Sequence, residues 1–413
     1  MTSSLITTAA GAPPPGTTAP PVAQPPGWQD DDAVRDVTER LAGYLPLVLP
    51  GECDRLTRRM AAVARGEAFL LQGGDCAETF DALTAEAVAA KLDTLFAMSE
   101  TLSAGMRLPV VVVGRIAGQY AKPRSRPVEV RAGTALPAYR GDAVNGPEFS
   151  ARIRTPNPYR MLRMYAASAA TLNNIRALAP AGDEPREMFV SHEALLLDYE
   201  RPLTRVAPGS GARYASSGHL VWAGERTRQP DGAHIDYLAG IRNPVAVKLG
   251  PTATVDEALE LTHRLNSRRR PGRLTFIVRM GAGAVRTVLP GLVEGVTASG
   301  APAAWVCDPM HGNTFTAPSG HKTRRITDVV DEIRGFFDVH RGLGTHPGGI
   351  HLELTGTEVT ECVGGAGPGL DGLAARYESA CDPRLNRSQA LEVARLIADT
   401  ARGDGAGSGP PAV

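Results

Sequence analysis

Eight short apolar runs, each closed by glycine and ionisable residues, constrain this chain more than any other feature of its sequence. In order they read AFLLQGGDC, PVVVVGRIAG, EMFVSHE, HLVWAGER, PVAVKLGP, LTFIVRMG, AAWVCDPMH and GIHLELTG. They read as too continuous for half-exposed strands, and continuous apolar runs mark parallel strands buried on both faces. Between them lie segments with helical spacing, such as AEAVAAKLDTLFAMSETL, YRMLRMYAASAATLNNIRAL, VDEALELTHRLN and ITDVVDEIRGFF. A strand–helix unit repeated eight times closes most simply into a barrel, and an open doubly wound sheet is the rival. The fold expected is α/β: a (β/α)8 TIM barrel with an N-terminal helical extension and disordered termini.

Residues 1–27 are rich in Pro, Ala and Thr and bury too little surface to offset their ordering entropy, so a disordered tail is expected there. They lack the basic start and continuous apolar core of a signal peptide. DDDAVRDVTERLAGYL then reads as an amphipathic helix with Asp at its N-cap. One catalytic barrel domain is expected over 28–400, and a second disordered tail over 401–413. Lys+Arg and Asp+Glu both number 44, so no global field favours nucleic acid or a membrane surface, and any cationic site must be local. No apolar run approaches the roughly 20 residues of a membrane helix. Five cysteines without a CxxC pair suit a reducing cytoplasm rather than a disulfide scaffold.

Active sites of barrels sit at the C-terminal ends of the strands. Here those ends carry Cys76, Arg115, His192 with Glu193, Glu225 with Arg226, Lys248, Arg279, His311 and Glu353. Cys76, His311 and Glu353 close runs one, seven and eight, which become neighbours when a barrel closes. A thiolate, an imidazole and carboxylates suit a first-row divalent ion. Asp382 in CDPRLN is the candidate fourth ligand; Asp308 competes, but as the residue before Pro309 it is read as shaping the turn. Arg115, Lys122, Arg124, Arg226, Lys248, Arg279 and Lys322 form a second, cationic group. Internal pairing with Glu225, Glu353 and Asp382 is the bland alternative, yet three acids cannot neutralise seven bases. A ligand with several negative charges is therefore expected in the same mouth.

Other motifs fall away. GPGLDGLA and GAGAVR lack Walker or dinucleotide spacing, and the basic run RLNSRRRPGR is read as solvated surface. By contrast LLQGGDCAE, GRIAGQYAKPRS, SHEALLLDYE, GERTRQPDGAH, RNPVAVKLGPT, CDPMHGNT, GTHPGGIHLELTGTEVTEC and YESACDPRLN together resemble the type II, or plant-type, 3-deoxy-D-arabino-heptulosonate 7-phosphate (DAHP) synthases. The likeness runs from about Trp28 to Thr400.

The resemblance implies a cytoplasmic (β/α)8 transferase that opens the shikimate pathway by condensing phosphoenolpyruvate with erythrose 4-phosphate. Carried over by motif, Cys76, His311, Glu353 and Asp382 would hold the metal, Mn2+ or Co2+. Phosphoenolpyruvate would meet Arg115, Glu225, Arg226, Lys248 and Arg279, with Glu225 steering a water and Lys248 also catalytic. The aldose phosphate would meet Lys122, Arg124, Ser125 and Lys322. Two such reactants carry about five negative charges, which accounts for the surplus of bases. The resemblance further implies a homo-oligomer, dimer or larger, with a chorismate mutase as candidate protein partner. A 4-amino analogue of the aldose phosphate is an alternative substrate, and an idle regulatory scaffold is an alternative role. The chain leaves little room for the extra helices of feedback-regulated members, and its RMGAGAV loop is smaller than the family's.

Overall fold

The computed structural model describes residues 19–178 and 187–403. Eight strands form a closed, all-parallel barrel: β1 Phe69–Gly74, β2 Val110–Arg115, β3 Met188–Glu193, β4 Leu220–Ala223, β5 Val245–Leu249, β6 Leu274–Val278, β7 Ala304–Cys307 and β8 Gly349–Glu353. Each falls inside one of the eight runs, and β1 pairs with both β2 and β8, so the ring is closed rather than open. Nearly every strand residue is buried, as continuous apolar runs require. The helices that cover the barrel include α3 Ala85–Met106, α4 Arg160–Leu178, α5 Ala233–Gly240, α6 Val255–Asn266, α7 Val285–Ala298, α8 Ile326–Leu343 and α9 Arg387–Arg402. Thr254 and Glu257 close a capping box at the start of α6, as Asn386 and Gln389 do for α9.

Two helices precede the barrel, α1 Asp31–Gly43 and α2 Pro50–Ala64. The Asp30 side chain caps α1 by accepting from Ala33 N at 2.9 Å. Leu56, Met60 and Val63 of α2 join Leu70, Val113, Phe189, Trp222, Ile277 and Val306 in one core cluster. α2 thus plugs the N-terminal end of the barrel, leaving the C-terminal end as the mouth.

Residues 19–27 were expected in the disordered tail, but they lie along the barrel and make long-range contacts. Pro21 O accepts from Ala233 N (3.0 Å), and Gln24 Oε1 accepts from Arg124 N (2.9 Å). At the other end α9 runs to Arg402, past the expected boundary at 401. The remainder of both expected tails, 1–18 and 404–413, lies outside the described residues. Short hairpins the sequence did not announce extend the loops: Val128–Arg131 with Thr134–Pro137 follows Arg124 and Ser125, and Phe315–Thr316 with Lys322–Thr323 carries Lys322.

Candidate active site

Strand register builds the centre of the mouth. Gly74 pairs with Arg115 on one side and Glu353 on the other, so a cation and a carboxylate flank the end of β1 at one level. Gly74 has φ +146°, and a Cβ there would lie 2.4 Å from Arg115 O; only glycine allows this approach. The next turn delivers Cys76, and the segment before α9 delivers Asp382. Ligand atoms of Cys76, Glu353 and Asp382 lie within 4.8 Å of one another. His311 adjoins this group through its Nε2, 3.0 Å from Glu353 Oε1.

The donor set fits a divalent ion. Asp308 Oδ2 and Oδ1 lie 2.7 and 2.9 Å from His311 Nδ1, which places a ring proton on that nitrogen and turns Nε2 toward Glu353. Asp308 therefore orients a ligand rather than ligating, and it also accepts from Lys248 Nζ at 2.7 Å. Asp308 does shape the turn, its Oδ1 accepting from Met310 N (3.1 Å) and His311 N (3.2 Å), and the contacts to the His311 ring and Lys248 are additional. The cluster already holds a positive charge: Lys122 Nζ lies 2.8 Å from Cys76 Sγ and 2.5 Å from Asp382 Oδ2. Lys322 Nζ takes the other Asp382 oxygen at 2.9 Å. Burial alone would raise both carboxyls, yet Lys122 holds Asp382, and His311 with Arg324 and Arg115 hold Glu353, well below the usual range.

Around the donors stands the cationic ring. Arg115 donates to His351 Nε2 (2.7 Å), Glu353 Oε1 (3.2 Å) and Cys76 O (3.3 Å). Burial and the neighbouring Lys248 and Arg115 push His351 well below its ordinary pKa. It is neutral, giving its Nδ1 proton to Gln72 Oε1 (2.8 Å) and accepting from Arg115. Arg226 Nη2 donates to Ser125 Oγ (2.6 Å), and Arg279 Nη2 to His311 O (2.8 Å). Burial lowers Lys248, bringing its ammonium closer to the range where it can exchange a proton.

Several partners were not legible. Arg324 is fully buried behind Glu353, donating to its Oε2 at 2.7 Å and to Met310 O at 2.7 Å. Its signal was adjacency to Lys322 in HKTRR. His351 shares a strand face with Glu353 two residues on, a period the alternation of β8 already contains. His192, by contrast, is bound to Glu200 Oε1 at 2.7 Å and is structural. Glu193 sits where Lys248, Arg115, His311 and Arg226 all act on it, and burial still raises it. Its Oε1 and Glu225 Oε2 are both buried without a hydrogen-bond partner. Two such carboxylate oxygens beside a cationic ring are places for a polar reactant or water.

A plugged parallel barrel whose mouth joins a thiol–imidazole–carboxylate cluster, fit for a divalent ion, to a ring of cations is the architecture of an enzyme for anionic substrates. The model of the class-II DAHP synthetase family matches residues 16–186 and 183–398, and the chain belongs to that family. It is 54% identical over 425 residues to a phospho-2-dehydro-3-deoxyheptonate aldolase of Streptomyces coelicolor, covering 91% of this chain and 94% of that one. It is 44% identical over 430 residues to the corresponding aldolase of Mycolicibacterium smegmatis, covering 91% and 92%. A crystal structure of the Thermotoga maritima aldolase aligns with TM-score 0.42 and 16% identity, over 82% of this chain and 70% of that one. No described helix is long and apolar enough to cross a membrane.

Proposed function

We propose that this mouth carries out the family's reaction with the division of labour that the motifs imply. The chain is a DAHP synthase, the first enzyme of the shikimate pathway, and its reaction joins phosphoenolpyruvate, erythrose 4-phosphate and water to give DAHP and phosphate. Cys76, His311, Glu353 and Asp382 would hold a divalent ion, Mn2+ or Co2+, whose Lewis acidity toward the aldehyde oxygen contributes several kcal/mol. Arg115, Arg226, Lys248 and Arg279 grip phosphoenolpyruvate. Lys122, Arg124, Ser125 and Lys322 grip the aldose phosphate. Holding two mutually repelling anions in attack geometry is worth roughly 7–11 kcal/mol.

The methylene carbon of phosphoenolpyruvate bonds to the aldehyde carbon while a water oxygen bonds to its C2. The C2–O bond to phosphate then breaks in the resulting hemiketal. Glu225, whose Oε2 lacks a partner, orients that water beside Lys248. Glu193 is a second carboxyl in reach of the same cations. The observation that carries this reading is the convergence of Cys76, Glu353 and Asp382, with His311 and Arg115 on Glu353, on one rim.

The test is phosphate release from phosphoenolpyruvate with each aldose phosphate in turn. Turnover with erythrose 4-phosphate that dominates over its 4-amino analogue is expected. A preference for the analogue would move the enzyme to a different product, and no turnover with either, metal bound, would leave only a scaffold role.

A further inference from the structure

The basic run RLNSRRRPGR is largely exposed, as read from the sequence, yet it is not flat. It forms one wall of a cavity of about 510 Å3 at the N-terminal end of β5 and β6, away from the catalytic mouth. Arg242, Arg268 and Arg270 line it, with Arg213, Arg264 and Asn266. Its walls are fixed. The Asn266 side chain accepts from Arg270 N (2.8 Å) and donates to Arg270 O and Pro302 O (both 3.1 Å). Gly272, at φ +77°, presses the loop onto α2, where a Cβ would lie 2.0 Å from Thr57 O. Arg273 is 1% exposed and donates to Leu265 O (3.1 Å), Leu238 O (2.5 Å) and Asn243 O, tying the ends of α5 and α6 to the start of β5.

Three of these guanidiniums have no counter-charge among the described residues. Arg264 is paired with Glu260 at 2.8 Å. Arg242, Arg268 and Arg270 have no ion pair among the described residues, and Arg273 meets only carbonyls. Asp54, the acid that acts on Arg270, has its Oδ1 taken by Tyr214 OH at 2.8 Å. The C-termini of α5 and α6 end here, each offering only about half a negative charge. Burial first, then Arg270 and Arg242, push the Arg273 guanidinium down to about 9. Four fixed charges therefore repel one another with about one unit of compensation.

We propose that this cavity is an anion site for a small phosphate-bearing molecule, separate from the catalytic mouth. Guanidinium forks match phosphate oxygens, and the volume lies within the 300–1,000 Å3 range of small-ligand pockets. A nucleic-acid face is disfavoured: no aromatic side chain lines the cavity for base stacking, and the chain carries 44 basic against 44 acidic residues.

Inorganic pyrophosphate is the probe. In wild-type enzyme saturated with phosphoenolpyruvate, it is expected to protect Arg242 and Arg268 from phenylglyoxal, read by peptide mass spectrometry. Calorimetry is expected to show one more bound pyrophosphate per chain than in an Arg242→Ser/Arg268→Ser/Arg270→Ser variant, whose turnover is unchanged. Single substitutions are expected to weaken that event about tenfold each. Unprotected arginines in the wild type, or unchanged stoichiometry in the variant, overturn the proposal. So does duplex DNA that displaces pyrophosphate with equal affinity at 0.15 M salt. The footprint needs no variant to fold and no assignment of the mouth.

Discussion

At the mouth of the barrel Arg115, Arg324, Lys122, Lys248 and Lys322 all contact carboxylates, whereas at the opposite end Arg242, Arg268 and Arg270 contact none among the described residues. For Arg115, Arg324, Lys122 and Lys248 the difference is one of burial; Lys322 is paired although exposed. Arg324 and Glu353 are both fully buried, and an unpaired charge there would be strongly unfavourable, so the two hold each other in place. Arg242 and Arg268 are exposed, and water screens them while leaving their field open to a ligand. Cations at the mouth are thus part of the fold as well as of the chemistry; those at the far end can be exchanged without unfolding anything.

The largest expected effect tests that contrast directly. Glu353→Ala removes the shared acceptor of Arg115, Arg324 and His311. It should lose bound metal and turnover together, and about 3–5 kcal/mol of stability from the uncompensated charges. Arg268→Ala should stay within about 0.5 kcal/mol of wild type. Urea midpoints and metal content decide it; comparable losses in the two variants would erase the distinction between the ends.

Next in size is removal of the metal. Chelation should abolish turnover, and Mn2+ or Co2+ should restore it. Cys76 and Cys381 are hydrogen-bonded to each other; burial and that bond raise the Cys76 thiol, while the same bond and Lys122 bring Cys381 down to about 7. Metal-free enzyme in air should therefore form a Cys76–Cys381 disulfide and recover only with reductant plus metal. Peptide mapping that finds Cys381 still a free thiol in the inactive enzyme would defeat this expectation.

A smaller effect separates the two grips within the mouth. Arg279→Ala should raise KM for phosphoenolpyruvate, and Arg124→Ala that for the aldose phosphate, each on the order of tenfold to a hundredfold for one charge-assisted contact. Parallel changes in both KM values would merge the grips into one.

The barrel was legible because burial on both faces leaves a continuous apolar signature in each strand, and parallel closure then places runs one, seven and eight side by side. That is why Cys76, His311 and Glu353 could be grouped before any coordinates. Arg324 and His351 were harder, because their roles come from partners distant in the chain: Arg324 reaches Glu353 across 29 residues and Arg115 reaches His351 across 236. The α2 plug has an ordinary amphipathic pattern, and nothing local says that its apolar face enters a barrel. The run RLNSRRRPGR is solvated as it reads, with Arg264, Arg268 and Arg269 exposed, but periodicity carries no information about the concavity that it borders.

The smallest expected effect concerns residues 19–27, where composition alone pointed to a tail without contacts. Low hydrophobicity does argue against independent folding, but it does not forbid an extended strap that borrows partners from a finished barrel. Gln24 takes φ +55° and accepts from the backbone N–H of Arg124, while Pro21 O caps the first N–H of α5. The strap thus pins the loop that carries Arg124 and Ser125, the proposed aldose-phosphate grip, and Arg226 of the proposed phosphoenolpyruvate grip meets that loop through Ser125 Oγ. Trp28 stays anchored without it, since its indole Nε1 donates to Asp198 Oδ2 at 2.8 Å. A chain starting at Trp28 should keep its melting temperature. Its KM for the aldose phosphate should rise roughly two- to tenfold, the worth of one ordinary hydrogen bond, with a smaller rise in KM for phosphoenolpyruvate. Gln24→Ala alone should reproduce most of that shift. If truncation moves neither KM, or moves both equally, the strap does not position Arg124, and its contacts are only those of a chain lying where the surface allows.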